Sequence, residues 1–200
     1  FPDYASTLRS LAATDCESYY RGALMERVVA FSRATGGYFC EDDFRNYRPE
    51  WVELITQDYR GYTVCEIPPN GHGITVLMAL GILNGMTMPE NRESAEHYHK
   101  VMEAIKLAFA KTYVADPRYM KTKVSELLDP AYLAARRALI TDRALEPRAG
   151  DPHCGGTIYL CTADREGNMV SFIQSNYTTF GAGVAVPGTG ISLQNRGANF

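Results

Sequence analysis

Hydrophobic and polar positions alternate in two different rhythms along this chain. Over residues 4–35 the apolar positions recur at helical spacing. Tyr4, Leu8 and Leu11 share one face, and Leu24, Val28, Val29 and Phe31 share another, which predicts two helices stopped at Gly36-Gly37. Cys40-Glu41-Asp42-Asp43-Phe44 reads as a solvated start of a short helix, since carboxylates are favoured at the positive end of a helix dipole. Residues 62–67 alternate as a strand and close at Pro68-Pro69-Asn70-Gly71. Residues 74–83 form the longest apolar run and read as a buried helix ending at Asn84-Gly85. Residues 94–115 give the longest amphipathic segment, with Val101, Ile105, Ala108, Phe109 and Tyr113 on one stripe. Residues 130–139 predict a further helix with proline in its first turn.

The texture then changes. Residues 146–156 combine two prolines and three glycines without apolar periodicity, so a flexible surface loop is expected there. Residues 157–163 and 168–174 are β-rich runs joined by Asp164-Arg165-Glu166-Gly167, the signature of a hairpin. A third short strand is expected over 191–195. Many helices, then a loop, then hairpin strands imply an α+β chain with a helical layer packed on sheet.

Composition removes several function classes. A net charge of −3 lacks the basic excess of a phosphate-tracking surface, so no nucleic-acid partner is expected. No apolar run approaches the roughly 18 residues of a membrane span. Cys16, Cys40, Cys65, Cys154 and Cys161 form an odd set with no CxxC pair; buried or neutral thiols are expected, with neither disulfide framework nor zinc site. That cysteine usage leans towards a cytoplasmic protein. Of His72, His97, His99 and His153, His97 and His99 are two apart on a helical segment and point to different faces, and His153 sits in the loop expected to move, so no metal is expected; no cofactor is expected either. Phe1 is not a start methionine, and both ends read as cut from something longer.

The stretch G-T-I-Y-L-C-T-A-D-R-E-G-N-M-V-S-F-I-Q-S-N-Y-T-T-F-G-A-G, Gly156 to Gly183, is similar to the start of the small subunit in the γ-glutamyltransferase family. So is P-G-T-G-I-S-L-Q-N-R-G-A-N-F, Pro187 to Phe200. E-I-P-P-N-G-H-G-I, Glu66 to Ile74, resembles a large-subunit segment, and the wording I-Q-S-N-Y and L-Q-N-R-G resembles the acylase-like members. The resemblance implies the four-layer αββα sandwich of N-terminal-nucleophile hydrolases. It also implies a precursor that cuts itself ahead of a threonine eleven positions before the asparagine of the D-x-x-G-N turn. Counting back from Asn168 gives Thr157, with the cut at Gly156–Thr157. Residues 1–156 would then be the C-terminal part of the large subunit and 157–200 the start of the small one, the two pieces staying together as a heterodimer.

The chemistry suits these residue types. A hydroxyl is a weak nucleophile that needs a base beside it. An N-terminal threonine carries its own, an α-amine with a pKa of roughly 7.7–8.0. Gly155 and Gly156 can take the strained backbone that attack of the Thr157 hydroxyl on the Gly156 carbonyl requires. By resemblance, Ser175 stands for a second hydroxyl near the threonine amine. Asn195 matches an asparagine near the substrate pocket, a turn-stabilising amide being the equal alternative. Tyr177 stands where glutathione-cleaving members carry asparagine, and packing is its equal alternative. Arg196 stands where they carry glutamine or glutamate. Asn199 stands where they carry the aspartate that binds a γ-glutamyl amine. Loss of that charge, with an arginine fork nearby, suits a dicarboxylic acyl group. The expected substrates are therefore γ-glutamyl or related acyl amides, with a cephalosporin or glutaryl acylase and an unprocessed structural or binding protein as alternatives. The resemblance places the carboxylate-binding arginine and the oxyanion donors outside this stretch, so the 200 residues alone are expected to show no turnover.

Overall fold

The computed structural model describes residues 1–109, 120–146 and 158–199. They form two compact units, residues 1–50 with 153–198 and residues 51–152 with 199–200.

In the second unit the apolar run becomes the buried helix α5 (Gly73–Leu83), named here after α1 (Pro2–Ala13), α2 (Glu17–Tyr20), α3 (Ala23–Ala34) and α4 (Glu41–Arg45). Ile74, Leu77, Met78 and Ile82 are fully buried, as expected of a helix that is apolar on every side. It packs against α6 (Ala95–Phe109), α8 (Pro130–Arg137) and the antiparallel hairpin of β1 (Ile55–Tyr59) and β2 (Tyr62–Glu66). Gly81 permits a close approach: a Cβ there would lie 2.5 Å from Leu133 Cδ1. Arg137 caps α5, donating from Nε to Ile82 O at 2.6 Å and from Nη2 to Gly81 O at 2.9 Å. α8 follows the short helix α7 (Val124–Leu127) and starts on Asp129, whose Oδ1 accepts from Ala131 N and Tyr132 N at 2.9 and 3.0 Å.

Two sequence expectations change here. Strand β1 was not expected; its turn at Arg60 and Gly61, both at positive φ, is the primed type that two-residue hairpins favour. On α6 the buried stripe is Ala104, Leu107 and Ala108, whereas Ile105 and Phe109 are about two-fifths exposed. Ala108 is buried and Val101 packs on the core as expected, so the stripe is shifted towards Ala104 and Leu107 rather than replaced. Tyr113 lies outside the described residues. Glu103 is also buried, at 2% exposure; its Oε1 accepts from Lys106 Nζ at 2.7 Å and its Oε2 from Leu145 N at 3.0 Å.

The first unit joins both ends of the chain. Residues 4–35 form three helices rather than two, because Asp15 and Cys16 at positive φ break the run. Thr7 is the buried residue of α1, while Tyr4 and Leu8 are exposed, contrary to the expected face. Thr7 Oγ1 donates to Thr189 O at 2.8 Å, so the helix is held by a hydrogen bond rather than by an apolar stripe. Met25, Val28 and Val29 of α3 pack with Phe44 of α4 and with Val186 of β5 (Ala185–Val186). β5 pairs with β6 (Ile191–Ser192), which is shorter than the strand expected over 191–195 because Asn195 bonds elsewhere. The hairpin of β3 (Ile158–Ala163) and β4 (Met169–Gln174) forms as expected. Asp164 organises its turn, its Oδ1 accepting from Glu166 N and Asn168 N at 3.0 and 2.9 Å and its Oδ2 from Asn168 Nδ2 at 2.7 Å. The described cysteines, Cys16, Cys40, Cys65 and Cys161, are exposed rather than buried.

Candidate functional site

The hairpin aligns its strands so that Ile158 pairs with Gln174, and every pair down to Ala163 with Met169 keeps that register. Ser175 follows this ladder directly. Thr157 and Gly156 precede it directly and lie outside the described residues, as does most of the loop expected over 146–156.

Beyond Ser175 the backbone turns sharply. Tyr177 has φ 79° and Thr179 φ 39°, a left-handed conformation that side chains with a Cβ seldom adopt. Hydrogen bonds hold it there. Ser175 Oγ accepts from Tyr177 N at 2.9 Å. Asn195 accepts from Thr178 N at 3.0 Å through Oδ1 and donates from Nδ2 to Thr178 Oγ1, while its own N–H donates to Asn176 O at 3.1 Å. The two stretches 175–178 and 194–196 are thereby stitched together.

Arg196 completes the cluster. Its Nη2 donates to Ser175 Oγ at 3.1 Å, and its guanidinium lies 4.9 Å from the centre of the Tyr177 ring. Its backbone N–H donates to Gln194 Oε1. Ser175 Oγ thus accepts two hydrogen bonds, which leaves its proton to be donated to a third group. Ser175, Tyr177, Asn195 and Arg196 are brought together in one place. Asn199 sits in the short 3₁₀ turn Arg196–Asn199.

Sequence reasoning missed Asn176, Thr178 and Gln194, the residues that set the shape of this cluster. The signal was present as a run of amides and hydroxyls, Gln174-Ser175-Asn176 and Gln194-Asn195, but nothing in spacing alone shows that two such runs pair. It also missed an aromatic cavity of about 390 Å³ that borders Ser175. Tyr19, Tyr20, Phe44 and Tyr47 line it as well.

By fold and site, the chain falls in the class of mixed α/β proteins that carry a hydroxyl-centred polar cluster at the end of a hairpin. It belongs to the γ-glutamyltranspeptidase family: the family described as Gamma-glutamyltranspeptidase matches residues 1–200. The glutathione hydrolase-like YwrD proenzyme of Bacillus subtilis is 36% identical over 201 residues, covering 99% of this chain and 38% of that protein. The oxamate amidohydrolase proenzyme of Klebsiella pneumoniae is likewise 36% identical over 201 residues, covering all of this chain and 38% of its own length. Among solved structures, the cephalosporin acylase from Bacillus halodurans is similar at TM-score 0.86 and 50% identity, over 99% of this chain and 36% of that one. The chain spans a little over a third of the length of these relatives.

Proposed function

We propose that this chain is part of a self-cleaving amidohydrolase or acyltransferase in which Thr157 is the nucleophile. In the first step the Thr157 hydroxyl attacks the Gly156 carbonyl, the peptide nitrogen takes up a proton and leaves as the new α-amine, and water hydrolyses the ester. In the second, the freed α-amine takes the hydroxyl proton as the oxygen attacks the substrate amide. The amine product leaves with a proton, and water or a second amine accepts the acyl group from Thr157. Residues 1–156 and 157–200 would belong to the two products, within a four-layer αββα sandwich.

The observation that carries this reading is the cluster around Ser175. Ser175 follows the β3–β4 ladder directly and keeps a proton to donate, and the family resemblance sets this position beside the nucleophile's amine. A neutral α-amine can accept that hydrogen bond and an ammonium cannot, so Ser175 would favour the amine in its basic form. Relatives along the whole chain carry the word proenzyme in their names, which agrees with a precursor. The test is Thr157→Ala in the full-length protein: the precursor should stay uncut and cleave no amide.

Arg196 favours a particular acyl group. Among the described residues its side chain makes one hydrogen bond, to Ser175, and its remaining N–H groups can meet a carboxylate. Asn199 is uncharged and cannot pair with an ammonium as an aspartate would. A dicarboxylic acyl group such as glutaryl suits the Arg196 guanidinium better than γ-glutamyl does. Faster hydrolysis of a glutaryl anilide than of a γ-glutamyl anilide by the processed protein is expected.

A further inference from the structure

The cavity beside Ser175 is built from a ring of aromatic side chains. The Tyr20 and Tyr47 rings stack 5.4 Å apart at an interplanar angle of 10°, and Tyr19 meets Phe44 edge-on at 5.6 Å. Ser175 and Asn176 line the same cavity. Tyr177, Asn195 and Arg196 do not line it, so Ser175 belongs to two environments, a cationic polar cluster and an aromatic chamber. Asp43 also lines the chamber. A hydrogen bond from the Cys40 backbone N–H, 2.8 Å long, holds the Asp43 carboxyl below its ordinary pKa, so it is an anion at neutral pH.

We infer that this cavity is the amine-side subsite of the reaction, receiving a flat aromatic or heterocyclic leaving group that is neutral or cationic. The inference rests on the proposed amide cleavage at Thr157 and adds the half of the substrate that Arg196 does not address. An amide substrate has two sides, and a nucleophile beside Ser175 would have one environment for each. A cavity of about 390 Å³ has room for a ring system. Aromatic walls reward a second ring in edge or offset contact beyond simple burial. The Asp43 carboxylate disfavours a second carboxylate on that ring, whereas Arg196 attracts one on the acyl side.

The full-length processed protein tests this with three amides of one acyl group, glutaryl or γ-glutamyl, whichever it turns over faster. The amine parts are benzylamine, cyclohexylmethylamine and 4-(aminomethyl)benzoate, alike in reach and differing in aromaticity and charge. kcat/KM should be about threefold to tenfold higher for the benzyl than for the cyclohexylmethyl amide, the size of an aromatic contact. The carboxylated ring should be poorer than the benzyl one, and Asp43→Asn should narrow that gap by about threefold. Tyr47→Leu should reduce the aromatic preference. Equal rates for benzyl and cyclohexylmethyl amides, or an Asp43→Asn protein that discriminates as before, would overturn the subsite while leaving the amide chemistry standing. No turnover of any of the three would sink both.

Discussion

At the scale of single residues, the hydroxyl of Ser175 carries the argument. It accepts from Tyr177 N and from Arg196 Nη2, so its proton has a defined duty outside the cluster. Ser175→Ala should therefore slow amide cleavage by about twofold to tenfold, the loss of a hydrogen bond between uncharged groups worth about 0.5–1.5 kcal/mol. Steady-state kinetics of the processed variant would show it; an unchanged kcat would mean that Ser175 only shapes the turn. Arg196→Gln should cost a similar factor for a glutaryl amide and much less for an acyl group without a carboxylate, read as the ratio of the two kcat/KM values. Sequence alone named Ser175, Tyr177, Asn195 and Arg196 through likeness to a family. It did not show that Asn195 spends its amide on Thr178, because a hydrogen bond across seventeen residues of chain leaves no periodic trace.

At the scale of elements, local chemistry was the more legible part. The D-x-x-G-N turn, the proline-opened helix and the all-apolar α5 follow from residue types a few positions apart. Strand β1 did not, since Ile55, Gln57 and Tyr59 become a half-buried face only by pairing with β2. Nor did the shift of the α6 stripe, which tertiary packing decides. That helix holds the clearest pH dependence. Burial pushes the Glu103 carboxyl up, but hydrogen bonds from Lys106 and Leu145 N–H, with the charges of Lys106 and His99, outweigh it and hold its pKa below the ordinary value. A carboxylate with a lowered folded pKa stabilises the fold above its unfolded pKa. That contribution is lost as pH falls through the folded one. Denaturant titrations of the full-length protein from neutral pH to below pH 4 should show stability falling over that range, and less steeply in Glu103→Gln. Gly81→Ala should destabilise by about 1–3 kcal/mol through overpacking against Leu133, measured as a lower midpoint at unchanged slope.

At the scale of the whole molecule, the first unit draws on both sides of the proposed cut. Val186 is buried among Met25, Val28, Val29 and Phe44, and Thr7 holds Thr189. A Cβ on Gly190 would come within 2.8 Å of Tyr4 N, so α1 and the turn at 190 touch backbone to backbone. Breaking the chain at 156 would leave these contacts intact, and the two products should stay associated without a covalent link. Val186→Asp, which buries a charge in that core, should release the small product from the large one in size-exclusion chromatography. None of this was visible in the pattern of residues. The partners are more than 140 positions apart, and the likeness to a family implied association without saying which residues achieve it.

The proposed chemistry requires one event that leaves a chemical mark: the backbone must open so that Thr157 gains a free amine. Intact-mass spectrometry of the purified full-length protein, before and after a short incubation with an amide substrate, reads that mark directly. Two chains are expected, the second beginning at Thr157 and gaining the mass of one acyl group when quenched during turnover. A single uncut chain that still cleaves amides, or a second chain that begins at any other residue, would contradict the assignment of Thr157.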